Sequence, residues 1–121
     1  MTQKLTLPGL LLRLEGTAVL LTALYLYHSL NLSWLTFAIF LLAPDISAIG
    51  YLINTRIGSI TYNIAHIYIL PLIIVTLALF LNWSLGFQIA LIWTAHIGMD
   101  RLFGYGLKYP DNFKHTHLNQ V

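Results

Sequence analysis

With 121 residues, 58% of them hydrophobic and only 8% charged, the chain has a mean hydropathy of +0.76. That is too little charge for a soluble surface, which takes about a quarter charged residues. The absence of cysteine excludes disulfides, thiol nucleophiles and cysteine-ligated metals. A formal charge of +2 and a pI near 9.1, carried by scattered basic residues, exclude a nucleic-acid partner and speak instead to orientation in a membrane.

Four segments in turn reach the roughly 20 apolar residues that cross a bilayer as a helix. The first, 10–30, carries Arg13 and Glu15 near its start. That glutamate, and the lack of a small-residue cleavage pattern, argue against a removable signal peptide. The second, 32–54, contains Pro44-Asp45; the third, 60–81, holds Asn63, His66 and Pro71. The fourth, 84–104, has His96, Asp100 and Arg101 near its end. Connections around His28–Asn31, Asn54–Ser59 and Asn82–Ser84 are short, which forces antiparallel neighbours. The prediction is an all-α fold: a four-transmembrane-helix antiparallel bundle, one integral membrane domain over 1–121, with a short polar tail over 105–121. Pro44 and Pro71 are expected to bend their helices, and Pro44 to free carbonyls close to Asp45.

Orientation follows from lysine and arginine. Lys4 and Arg13 lie at the amino end, Arg56 in the middle connection, and Arg101, Lys108 and Lys114 at the carboxyl end, while the connections at Asn31 and Asn82 have none. Four spans put all three basic regions on one face. The chain is therefore expected to be a multi-pass protein of the cell inner (plasma) membrane with both termini cytoplasmic. Trp34 and Trp83 then fall in an outer aromatic belt, Trp93 packs more deeply, and His28 is interfacial.

The polar residues inside the spans each cost about 2.5–3.5 kcal/mol. At 1.5 Å per residue, Glu15, Asp45, His66, His96 and Asp100 lie about 7, 12, 9, 10 and 5 Å from the cytoplasmic boundary. Helices running in alternate directions thus deliver their costly groups to one half of the membrane. His96 and Asp100 are four apart on one helix face, and Asn63 and His66 are three apart. Two histidines with two or three carboxylates resemble ligand sets for a divalent metal ion such as zinc, iron or manganese. Asp45, His66, His96 and Asp100 are the candidate metal ligands. Glu15 is a candidate ligand, base or supporting partner. Asn63, His115 and His117 are additional candidates, the last two forming a His-x-His in a tail able to fold back over the site. Taken singly, Asp45, Asp100 and Arg101 read equally as an ion-pair network fixing registry, and Asn63 and His66 as interhelical hydrogen-bonding groups. As a set at one depth they read as a site.

The string His96-Ile97-Gly98-Met99-Asp100-Arg101-Leu102-Phe103-Gly104-Tyr105-Gly106-Leu107-Lys108-Tyr109, followed by Thr116-His117-Leu118, resembles the signature of small bacterial membrane proteins grouped as domain of unknown function 4260. Arg13-Leu14-Glu15-Gly16, Pro44-Asp45, Gly50-Tyr51 and Tyr62-Asn63-x-x-His66 are similar to that family's other blocks. The resemblance covers nearly the whole chain. It implies the four-helix membrane fold and singles out Glu15, Asp45, Asn63, His66, His96, Asp100, Arg101 and His117. It departs at His115, where the family pattern has an acidic residue. The family name carries no activity.

Two classes of function stay open at this point, beside a third, structural one. In a metal-dependent, hydrolase-like membrane enzyme, Asp45, His66, His96 and Asp100 hold the metal. Glu15 then activates water and Arg101 holds an anionic group of a lipid-like or amphipathic substrate. Redox iron acting on an acyl chain would use the same ligands. In a transporter or channel subunit they relay protons or ions, although the nearly apolar outer half offers no continuation of such a path. In a structural protein they dock a partner. Membrane lipid and further copies of the chain are the expected neighbours.

Overall fold

A computed structural model describes residues 6–107 and Thr116. Its helices are α1 (Leu7–Ser29), α2 (Trp34–Phe40), a 3₁₀ segment (Ala43–Leu52), α3 (Thr55–Ala65), α4 (Ile69–Leu81) and α5 (Ser84–Leu102). The fold is all-α, and two of its spans are interrupted. The stretches Leu7–Ser29, Trp34–Leu52 and Thr55–Leu81, of 23, 19 and 27 residues, are long and apolar enough to cross a membrane. Both interruptions precede a proline. Pro44 and Pro71 lack the amide hydrogen that would bond four residues back, and their rings crowd that carbonyl. The second span accordingly breaks at Leu41–Leu42 and continues as 3₁₀ helix, and the third breaks at His66–Tyr68.

Span boundaries differ from the sequence expectation by up to three residues, and by five at the start of the third. The third span begins at Thr55, not near residue 60, because the Asn54 side chain caps it, Oδ1 accepting from the Ile57 amide at 2.8 Å. The polar run through Arg56 is therefore a capped first turn, where Asn is among the preferred residues. At the other end of the bundle, Asn31 and Asn82 turn the chain in the left-handed region, each with φ 53°, which asparagine tolerates better than most residues. Tyr27 is fully buried there. Its hydroxyl donates to the Ser33 carbonyl, and its ring lies 4.9 Å from Trp34 and 5.2 Å from Phe37 between centroids.

Helix α5 is less apolar than the other spans because it faces protein. It packs on α1, α4, α2 and the 3₁₀ segment, and Ala90, Ile92, Ala95 and Ile97 along it are buried. Large apolar side chains elsewhere point outward, among them Leu35, Leu52 and Phe80; an unpartnered surface of that kind suits lipid. Helices α1 and α5 touch backbone to backbone. A Cβ added to Gly98 would lie 2.7 Å from the Gly16 carbonyl oxygen and 2.9 Å from the Leu20 amide nitrogen. Small residues at such a crossing are how membrane helices approach closely, and Gly98 stands between His96 and Asp100.

Candidate metal centre

The break ahead of Pro71 builds half of the site. The His66 amide turns back to the Asn63 carbonyl at 3.1 Å instead of continuing the α-helical ladder. Three carbonyls then need other donors in an apolar layer. The Tyr62 carbonyl takes His66 Nδ1 at 2.7 Å. The Ala65 carbonyl accepts from Trp93 Nε1 at 2.6 Å, and the His66 carbonyl from Arg101 Nη2 at 3.1 Å. Both of those donors come from α5, so the helix carrying His96 and Asp100 also holds the bend carrying His66. The break ahead of Pro44 builds the other half, placing Asp45 in the first turn of the 3₁₀ segment, its amide bonded to the Leu42 carbonyl at 3.1 Å.

Four side chains meet there. One ligand atom from each of Asp45, His66, His96 and Asp100 lies within 4.8 Å of all the others. The His66 and His96 Nε2 atoms are 3.2 Å apart, and each is 3.2 Å from Asp45 Oδ1. Asp100 Oδ2 is 3.4 Å from His66 Nε2 and 3.3 Å from His96 Nε2. His66 Nδ1 donates to the Tyr62 carbonyl, which turns its Nε2 toward the cluster. His96 Nδ1 points toward the Leu41 carbonyl, without reaching full hydrogen-bond geometry. Two imidazole Nε2 atoms and two carboxylates therefore crowd one point.

A cation would relieve that crowding. Ligands about 2.0–2.1 Å from a tetrahedral ion are separated by about 3.3–3.4 Å, and five of the six separations here run from 3.2 to 3.4 Å. His66 and His96 are 2% and 1% exposed, whereas the Asp45 side chain is 49% exposed, so the site opens on the Asp45 side. Zinc, iron and manganese all accept such a set of two imidazoles and two carboxylates.

The other candidates fall outside the four-atom group. Arg101 lies one residue past Asp100, and its guanidinium bonds the His66 and Tyr105 carbonyls, the latter at 3.3 Å. Glu15 is exposed on α1, within electrostatic reach of the Tyr68 hydroxyl, and is not brought to the cluster. Asn63 takes part through its carbonyl. His28 is exposed on the last turn of α1, and His115 and His117 lie outside the described residues. Two supporting residues were not singled out from sequence. Tyr62 stacks on the His66 ring at 3.7 Å and 8°, and Trp93 holds the Ala65 carbonyl. Their signal is spacing: each precedes a ligand histidine by three or four residues on the same helix.

Among families, the one described as Domain of unknown function (DUF4260) matches over residues 9–121. No curated protein and no solved structure matches the chain.

Proposed function

The chain belongs to the Domain of unknown function (DUF4260) family, and within it we propose a membrane-embedded, metal-dependent hydrolase acting on a lipid-like, amphipathic substrate. The observation that carries this reading is the packing of two Nε2 and two carboxylate oxygens, five of whose six separations are 3.2–3.4 Å and all within 4.8 Å. Uncompensated, such an array in a low-dielectric layer is strongly destabilising. Asp45, His66, His96 and Asp100 would hold the ion, which when bound would supply polarisation of a carbonyl and a lowered pKa for water. Asp45, half-exposed at the mouth, is the carboxylate placed to take a proton from water there and to return it to a leaving alcohol. Arg101 and Trp93 hold the His66 bend, and Tyr62 holds the plane of its ring. Arg13, Arg56 and Arg101 support the orientation in which the site lies in the cytoplasmic half of the inner membrane.

Elemental analysis of protein purified without chelators tests this. One divalent ion per chain is expected, absent from His96→Ala, together with metal-dependent cleavage of ester-linked amphiphiles in mixed micelles. Protein that takes up none of zinc, iron or manganese on dialysis would overturn the enzyme reading, leaving a cluster that shares protons.

A further inference from the structure

An apolar cavity of about 260 Å³ adjoins the cluster. Pro44 and Ala65, the chain neighbours of Asp45 and His66, form its near end. Trp93 and Ile89, three and seven residues before His96, carry its wall along α5 toward the Asn82 end of the bundle. Phe40 and Ala43 close the side from the second span. Its polar side-chain groups are already engaged, the Ser47 hydroxyl donating to the Pro44 carbonyl and Trp93 Nε1 to the Ala65 carbonyl, each at 2.6 Å. Nothing in the cavity rewards a polar ligand. Pro44 sets that near end one residue from Asp45, the exposed member of the cluster.

The geometry points to a binding site for one aliphatic chain of a single-chain amphiphile whose carbonyl head lies at the Asp45 side of the metal centre. A cavity of this size takes a segment of one alkyl chain. The chain runs from the metal along α5 toward the membrane midplane, the course of a lipid of the leaflet on the cluster's side. The identity of the head group rests on the metal reading above; the chain site itself does not.

Trp93 is the reporter, because it lines the cavity while Trp34 and Trp83 are 45% and 48% exposed at the other end. In full-length Trp34→Phe/Trp83→Phe protein, in vesicles of unbrominated phosphatidylcholine, a brominated fatty acid should quench Trp93 saturably at low mole fraction. Unlabelled fatty acid of the same length should reverse the quenching. Ile89→Phe and Ala43→Phe, which fill the cavity from α5 and from the second span, should each lose the saturable component. Quenching strictly proportional to mole fraction and insensitive to competitor in the unfilled protein overturns the chain site, whether or not either filled variant folds. Metal content of the same samples separates the two readings. Saturable quenching that survives in metal-free His96→Ala upholds the chain site even where the metal reading has failed. Proportional quenching in metal-loaded protein overturns the chain site alone.

Discussion

The contact between Trp93 and the Ala65 carbonyl gives the sharpest test of how the site is held. Trp93→Phe keeps an aromatic ring against the cavity and deletes the indole N–H, whose bond to the carbonyl is 2.6 Å long. No α-helical amide is available to that carbonyl, because the ladder breaks at the next residue. A buried acceptor left unpaired costs about 1–3 kcal/mol; with Ala65 and Trp93 half-buried, we take about 1–2. If the bend relaxes by that amount, the metal-bound state loses the same free energy through His66. At about 1.4 kcal/mol per tenfold, the metal Kd should rise roughly 5- to 30-fold. Competition against a chromophoric chelator measures it, with thermal unfolding of the apo-protein alongside. Lost ring volume alone would lower Tm and leave metal affinity where it was. An unchanged Kd therefore refutes the claim that Trp93 positions His66.

Three further outcomes are expected. Gly98→Ala, with a methyl 2.7 Å from the Gly16 carbonyl oxygen, should cost about 1–3 kcal/mol as overpacking, seen as a lower Tm, while the exposed Ala38→Gly should shift it by less than half as much. His96→Ala should lose bound metal by elemental analysis and lower Tm, since the ion binds the folded state. Glu15→Gln, outside the cluster, should keep full metal content. Reporter fusions after the last residue and in the Asn82 turn should fall on opposite sides of the membrane, the first cytoplasmic; the same side for both would remove the four-span topology.

The gathering of Asp45, His66, His96 and Asp100 in one half of the bundle was legible from span position alone, since rise per residue converts sequence distance to depth. Which of the costly residues face one another was not. In α1 nearly every position is apolar, so periodicity cannot separate the lipid face from the protein face, and Glu15 could not be assigned its exposed side. Arg101 illustrates a second limit. Its charge suggests an anionic ligand, and nothing in the sequence shows that the break ahead of Pro71 leaves the His66 carbonyl bare for one nitrogen of its guanidinium. Pro44 and Pro71 were legible as bends. That one continues as ten residues of 3₁₀ helix, setting the register of Asp45, depends on packing against α3, where Thr61 Oγ1 donates to the Ser47 carbonyl at 2.7 Å.

The captured carbonyls of the α3–α4 bend also impose an order on biogenesis. Trp93 and Arg101 are synthesised after the bend they satisfy, so the third span emerges from the ribosome with open acceptors that lipid cannot fill. Until α5 arrives, that span carries the cost of those open acceptors in hydrocarbon, about 1–3 kcal/mol each. Its release into the bilayer and the docking of α5 become a single event. A nascent chain halted at Asn82 should accordingly be held or degraded, although its three completed segments are the most apolar of the protein.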